Sequence, residues 1–453
     1  MIERRKKIVH DPLHGSISID GVFLDILDRH EVQRLHAIKQ LGLGNMVFPG
    51  ANHTRFEHSM GVYHLAGRMT EALGMDEEES NIVRAAALLH DVCHPPFSHT
   101  MEEIMENETG LDHMDLARKL IHGSIPTFLD RDDDILGGVE PISELLERNG
   151  VSPGKVCDLI AYPVSKAKGL EFFTAVDGKQ SFFASKDYAH QIIHGPVDAD
   201  QMDYLVRDAH YTGVSHGSID TERLLNKMRI HNNKIVLEKG GIVAAEGLMV
   251  SRALMYSSVY FHKTVRIVEM MLTKAAEVSD MDFSRLYLMD DTDLISCLID
   301  STRKASEITR SVLHRRFYKN AYTLYSIDLS DDVKAGLVKY SDYGSRKSLE
   351  SEIADRAGID PSEVIVDIPS KSTLLSNIRI GKTDVSILED DKVRSITKFS
   401  PLARALQSRD ISDWAIMISA PADRTESVRK AAKDILAFDD AERSEFGNLA
   451  GQS

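Results

Sequence analysis

The chain has 453 residues, with 54 Lys and Arg against 70 Asp and Glu, a formal net charge of −16. Hydrophobic residues make up 42% and charged residues 27%, the balance of a globular protein rather than of a disordered or collagen-like chain. Three scattered cysteines (Cys93, Cys157, Cys297) give neither a disulfide framework nor a zinc pair and suit a reducing cytoplasm, and the acidic total argues against general binding to nucleic-acid backbones.

The N-terminal segment is basic (Arg4, Arg5, Lys6, Lys7) but leads into no apolar run, so no signal peptide is expected. Residues 7–9 and the alternating Ile17 and Ile19 read as extended segments around a turn at Asp11-Pro12-Leu13-His14-Gly15. From Phe23, apolar residues at helical spacing run through Leu24, Leu27, Val32, Leu35 and Ile38 to Gly42 and Gly44. Helices over 54–73 and 80–92 follow; the second is almost wholly apolar, hence buried, and Pro95-Pro96 stops it. Residues 123–185 are irregular, with turns at Gly137-Gly138 and Pro153-Gly154 and a solvated acidic run at 132–134.

Helices over 198–211 and from 221 precede a hairpin over 228–238 turning at Asn232-Asn233. Residues 241–278 read as one long apolar helix, which Glu246 keeps from being a membrane span. Residues 280–330 look helical, and strand-like runs at 363–368 and 386–388 mark a smaller lobe. The expected organisation is therefore a core over 1–280, a C-terminal α+β lobe over 281–440 and a polar tail over 441–453.

Twelve of the 19 histidines fall in the first 122 residues. A buried helix ends in His90-Asp91, an imidazole and a carboxylate whose burial costs several kcal/mol unless each finds a partner. A divalent cation takes both. In His53-Thr54-Arg55-Phe56-Glu57-His58, Arg55 and His58 share a helical face, so His58 can join a metal while Arg55 holds an anion on it. Asp200, Tyr204 and Asp208 lie at i, i+4 and i+8, a stripe suited to a pocket wall or, read plainly, to a solvated face.

The order His58, His90-Asp91, Asp200 is the H…HD…D signature of the HD-domain phosphohydrolases. More closely, the chain resembles the deoxynucleoside triphosphate triphosphohydrolases (dGTPases), including the mammalian member with a sterile-alpha-motif domain. The likeness runs from Asp11-Pro12-Leu13-His14-Gly15 through Gln40-Leu41-Gly42, Phe48-Pro49-Gly50, Arg55–His58, His90–His99 and Asp203-Tyr204, and fades into Val364-Ile365-Val366-Asp367. It implies a mainly α fold, an HD helical core with small β-hairpins and a smaller C-terminal α+β lobe. It further implies metal ligation by His58, His90, Asp91 and Asp200, with His94 and His99 on the phosphates and His113 as the catalytic histidine. By the same resemblance Arg55 and Arg252 grip the triphosphate, and Gln40, Leu41 and Asp208 surround the sugar 3′-hydroxyl. Tyr204 and Tyr260 crowd the 2′ carbon.

The activity so implied is metal-dependent hydrolysis of a dNTP at the α-phosphorus, releasing a deoxynucleoside and triphosphate. The cofactor would be one divalent transition metal (Fe, Mn, Ni, Zn or Co), with Mg²⁺ accompanying the nucleotide. A homodimer or homotetramer and no membrane partner are expected. Lys7, Asp28 and Gln33 match contacts of a regulatory nucleotide (an activator) in the mammalian relative, although His36 and His10 replace an arginine and an asparagine there. Gln201 stands where a lysine normally follows the metal-binding aspartate, Phe261 where a polar residue follows the tyrosine, and Met114 where an acid is usual. Two alternatives stay open: another nucleotide or phosphate ester as substrate, and a nucleotide-responsive protein with a vestigial site.

Overall fold

The computed structural model describes residues 6–161, 187–369, 384–408 and 414–436; the expected tail over 441–453 and part of the irregular segment lie outside the described residues. β1 (Lys6–Asp11) and β2 (Gly15–Asp20) form an antiparallel hairpin with Val9 opposite Ile17. The helical run expected from Phe23 is broken. α1 (Val22–Leu27) and α2 (His30–Gln33) are separated by Arg29 at ψ 136°, and a 3-10 turn at Arg34–Ala37 follows. Buried Arg29 and Glu31 pair at 2.9 Å across that break, which gives the extended residue a reason to stay.

α3 (Arg55–Ala72) starts on a capping box: Thr54 Oγ1 accepts from the Glu57 N–H, and the Glu57 carboxylate accepts from the Thr54 N–H. α4 (Glu77–Leu89) begins three residues earlier than the hydropathy suggests, because Asp76 caps it and three glutamates fill its first turn. It ends at Leu89, so His90 and Asp91 emerge just past its C-terminus. α5 (His99–Thr109), α6 (His113–Ile121), α7 (Asp133–Leu136), α8 (Ile142–Arg148) and α9 (Pro153–Ile160) follow. The expected turn at Pro153-Gly154 is instead the first turn of α9: Ser152 caps it, and Pro153 sits where no N–H is required. The acidic run faces solvent on a 3-10 turn and α7.

α10 (Asp187–His194) and α11 (Ala199–Thr212) lead to α12 (Thr221–Lys227) and the hairpin β3 (Met228–His231) and β4 (Lys234–Glu238). Asn232 and Asn233, at φ 50° and 62°, supply the left-handed pair of a type I′ turn. The single helix expected over 241–278 is interrupted. α13 (Ile242–Met255) passes into a π-helical turn at Tyr256–Tyr260, leaves helix at Phe261, and resumes as α14 (Lys263–Glu277). Contrary to the sequence expectation, Lys239–Tyr260 has the length and apolarity of a membrane-crossing helix, with hydropathy 1.2. Here it is a core element whose Ala244, Ala245, Leu248, Met249 and Met255 are buried.

α15 (Asp291–Asp300) and α16 (Arg303–Leu313) fulfil only part of the helical expectation for 280–330, since β5 (Lys319–Tyr325) is a strand. α17 (Asp331–Leu337), α18 (Tyr343–Ala357), β6 (Ile365–Asp367), β7 (Ser386–Glu389), β8 (Lys392–Ser395), α19 (Pro401–Ser408), β9 (Trp414–Ala420) and α20 (Thr425–Ile435) complete the order. The three-stranded sheet β5-β9-β6 is antiparallel. It turns Ile365, Trp414 and Met417 to the main core and Val366, Ile416 and Ile418 to a second, smaller one. β7 and β8 instead extend the β3-β4 hairpin, with Leu237 opposite Ile387 in a parallel pair. The architecture is the expected one: a mainly α core with small hairpins and a smaller α+β lobe.

Candidate active site and metal centre

A cavity of about 750 Å³ opens between α3, the segment after α4, α5, α6, α11 and the π-turn. His58, His90, Asp91, Asp200, Arg55, His94, His99, His113, Gln40, Leu41, Tyr204, Asp208, Arg252 and Tyr260 all line it, so residues spread from 40 to 260 converge on one space. Lys7, Asp28 and Gln33 do not line it. Lys7 and Asp28 pair at 3.7 Å on the surface, and the Gln33 amide donates to the Leu27 carbonyl at 2.7 Å. His36 stacks on Phe56.

His58 sits one turn into α3, and its Nδ1 bonds to Asp203 Oδ2 at 2.8 Å. A carboxylate accepts, so Nδ1 carries a proton, and Nε2 lies 3.0 Å from Asp200 Oδ1 and 3.9 Å from Asp91 Oδ2. Acceptors placed face to face repel unless a proton or a cation lies between them. Burial lowers the His58 pKa, but Asp200 and Asp203 outweigh it and push it up to about 10. His90 shows the same device: Nδ1 donates to the Ala87 carbonyl at 2.7 Å, leaving Nε2 free at 3.3 Å from Asp91 Oδ1 and 4.0 Å from Asp200 Oδ1. Two donors each roughly 2.1 Å from one ion stand about 3.0–3.4 Å apart at octahedral or tetrahedral angles. His58, His90 and Asp200 lie close enough together to hold one divalent cation, whereas Asp91 groups with His94 and His113, although its Oδ1 is also 3.3 Å from His90 Nε2.

The support behind the cluster is built from remote chain. Asp203 also receives both Nε and Nη2 of Arg207, at 2.8 and 2.9 Å, and His14 Nε2 at 2.7 Å. Arg207 Nη1 reaches Asp11 Oδ2 at 2.9 Å. Burial would raise the Asp203 carboxyl, but Arg207, His14 and His58 hold it well below the usual range. These partners fix the His58 ring in the way outer carboxylates orient metal-bound histidines. They also explain the Asp11–His14 turn, whose Asp11 Oδ1 accepts the Leu13 and His14 N–H groups. α3 and α11 approach closely enough for this only because residue 61 is glycine: a Cβ there would lie 1.8 Å from Asp203 Oδ1.

Asp91 receives Arg55 Nη1 at 2.5 Å, and although burial opposes it, Arg55 with the nearby imidazoles keeps the carboxyl ionised. Burial, aided by Arg55 and His113, drives the His94 pKa well below its ordinary value, so this ring is neutral. It stacks on His113 at 4.0 Å. His113 Nδ1 makes a short contact with Glu102, whose other oxygen takes His99 Nδ1 at 2.7 Å. Burial lowers the His113 pKa, but Glu102 outweighs it and the net direction is up. Glu102 was not read from the sequence; its spacing three residues after His99 on α5 is the signal that was there.

On the opposite tyrosine wall, the Tyr260 hydroxyl donates to Asp208 Oδ2 at 2.6 Å, and Asp208 Oδ1 meets His53 Nε2 at 2.8 Å. Tyr204 faces Tyr260 edge-on at 6.1 Å, and the Arg252 guanidinium lies over the Tyr256 ring at 5.6 Å. Gln201 turns its amide NH₂ to Gly195 O and Asp198. Arg55 Nη2, His94 Nδ1 and Gln40 Oε1 are buried without a hydrogen-bond partner among the described residues. Orphaned polar atoms in a cavity of this size mark where a ligand's own polar groups fit.

This fold and site define a class of protein. The HD domain matches residues 55–208, and the HD associated region matches residues 219–446. The chain belongs to the HD-domain phosphohydrolase family. It is 34% identical over 433 residues to the uncharacterized protein MJ1154 of Methanocaldococcus jannaschii, covering 94% of this chain and 81% of that one. It is 28% identical to the deoxynucleoside triphosphate triphosphohydrolase SAMHD1 homolog of Dictyostelium discoideum, covering 80% of this chain and 67% of that one. A hypothetical protein from Aquifex aeolicus has the same fold, with a TM-score of 0.65 at 27% identity, covering 95% of this chain and all of that one.

Proposed function

We propose that the chain hydrolyses deoxynucleoside triphosphates at the α-phosphorus, yielding a deoxynucleoside and triphosphate. The observation that carries this reading is the joining, in one cavity, of the two-histidine, two-aspartate cluster to Arg55, Arg252 and the His94–His113 stack. His58, His90, Asp91 and Asp200 hold a divalent transition cation, which supplies Lewis acidity toward a phosphoryl oxygen and toward water. The orphaned Arg55 Nη2 and neutral His94 bind phosphate oxygens, an electrostatic task. His113, whose pKa Glu102 raises against the effect of burial, gives its proton to the 5′ oxygen of the leaving deoxynucleoside. In this reading Tyr204 and Tyr260, which line the cavity, face the sugar and exclude a ribose 2′-hydroxyl, while Asp208 and Gln40 take the 3′-hydroxyl. The Dictyostelium relative, named for this activity, supports the reading.

Incubating the protein with each dNTP and Mg²⁺, Mn²⁺ or Co²⁺ tests it, with inorganic triphosphate as the expected product. Absence of triphosphate with every metal rejects it. A second reading, turnover of another nucleotide or phosphate ester, draws on Gln201, whose neutral amide is tied to Gly195 and Asp198 and adds no cation to the phosphate wall. Ribonucleotides, monophosphates and cyclic dinucleotides in the same assay separate the two. We also infer a cytoplasmic homodimer or homotetramer, which light scattering checks.

A further inference from the structure

Two loops that wall the cavity touch each other. One carries Gln40 and Leu41, the other His94 and His99. Their contact is close: a Cβ on Gly42, itself at φ 50°, would lie 2.8 Å from the Phe97 carbonyl. The second loop is strained, since Phe97 and Ser98 both have left-handed backbones at φ 54° and 55° without being glycine. Such a shape persists only when its surroundings over-determine it. Arg34 donates to the carbonyls of Val92 and His94, at 2.8 and 2.9 Å, and Ser98 Oγ donates to Lys39 O at 2.8 Å.

Arg55 Nε also donates to Ser98 Oγ at 2.7 Å, and a further restraint comes from far along the chain. Asp291, at the start of α15, accepts the Phe97 N–H on Oδ1 at 2.7 Å and the Lys39 N–H on Oδ2 at 3.1 Å. One buried carboxylate thus ties one loop to the other through backbone donors. We propose that Asp291 is a positioning residue that fixes the two loops relative to each other and so sets the spacing between the sugar-side groups and the histidines. Only an ionised carboxylate offers two acceptors and no donor, which is what two facing N–H groups require. Burial raises the Asp291 pKa to about 6 even against the two N–H donors, so the group is kept there at a cost to its own solvation. A solvated helix start has no need of this, because Asp290 already caps α15 by accepting from Thr292 and Asp293. The inference rests on the cavity being the catalytic site.

The test compares Asp291→Asn with Asp291→Glu in the full chain, measuring metal content, amide exchange by mass spectrometry, and kcat and KM on whichever nucleotide the unaltered protein turns over. Asp291→Asn keeps one acceptor and sets an NH₂ against the other N–H. Its expected signature is unchanged metal content, exchange at least tenfold faster in peptides spanning 38–42 and 94–99 but not in 414–420, and kcat/KM down roughly 10-fold to 100-fold. Asp291→Glu, which keeps both acceptors, recovers part of that loss. Exchange unchanged in both loops, acceleration spread evenly to 414–420, or kcat/KM within twofold of the unaltered protein would overturn the proposal. If Asp291→Asn does not fold, the Glu variant decides alone, by slower turnover with loop-confined exchange or by neither. An unaltered protein that consumes no nucleotide defeats the proposed function, while the exchange comparison still decides the role of Asp291.

Discussion

At the scale of single residues, the site sorts its histidines by what each ring nitrogen faces. His58, His90 and His113 all spend Nδ1 on an acceptor, but His58 and His90 face Asp200 through Nε2, whereas His113 lies beside His94, with its pKa raised by Glu102 against the effect of burial. That difference has a measurable sign. A histidine that must be protonated to donate works below its pKa and fails as pH rises through it. Glu102 lifts that limit, so Glu102→Gln should move the alkaline fall of kcat/KM to lower pH while leaving the acid side in place. A pH profile whose alkaline limb stays where it was would remove His113 from the proton-donor role.

The same residues show what a sequence can disclose. His90-Asp91 was legible because nothing in an apolar helix accounts for two polar groups at its end. Asp203 and Arg207 were not, because their partners His14 and Asp11 lie 189 and 196 positions away, and no local pattern encodes that meeting. Asp291 was hidden for the same reason, being 194 and 252 positions from the amides it binds.

At the scale of elements, two contacts set the geometry and each predicts a variant. Glycine inside a helix normally costs about 1 kcal/mol against alanine, so Gly61→Ala in α3 would ordinarily stabilise. Here the new methyl meets the Asp203 carboxylate, and overpacking of this kind costs roughly 1–3 kcal/mol. Denaturant unfolding should therefore show destabilisation, with loss of turnover because His58 loses its anchor; a more stable Gly61→Ala protein would contradict the α3–α11 packing.

The second contact joins α14, α5 and α18 through a buried ion network. Arg346 reaches Glu277 at 2.7 Å, Glu350 at 3.2 Å and Glu103 at 3.4 Å, and Lys274 bonds to Glu277 and Glu350. Replacing Arg346 by methionine strands buried carboxylates and should cost about 3–5 kcal/mol, read as a lowered denaturation midpoint. Element ends are the least legible feature of the sequence. Pro153-Gly154 reads as a turn until Ser152 is seen to cap a helix there, and the hydropathy of 241–278 runs unbroken across the π-turn.

At the scale of the whole molecule, the cluster of Asp91 and Asp200 with two imidazoles is a concentration of like-facing acceptors that a cation relieves. A ligand that binds only the folded state adds about 2.7 kcal/mol at one hundred times its dissociation constant. Mn²⁺ or Co²⁺ added to chelator-stripped protein should accordingly raise Tm, and the rise should vanish, together with turnover, in His90→Ala. Elemental analysis of the untreated protein identifies the resident metal. An equal rise in the variant would place the cation elsewhere. Fold class was the most legible property at this scale, since helical hydropathy over most of the chain leaves few other architectures. The sharing of β7 and β8 with the β3-β4 hairpin was not, because strand partners are chosen by three-dimensional proximity.

The wide turn at Tyr256–Tyr260 also acts as a phase shifter. One surplus residue in the winding turns Tyr260, the last residue before the chain leaves helix at Phe261, by about 100° relative to an unbroken α-helix. Excising Ser257 would barely alter composition or apolar content, yet it would swing the aromatic rings that follow away from the pocket while Arg252, upstream, kept its aim. The aim of the tyrosine wall is thus written less in which side chains the chain carries than in the angular bookkeeping of a single helix.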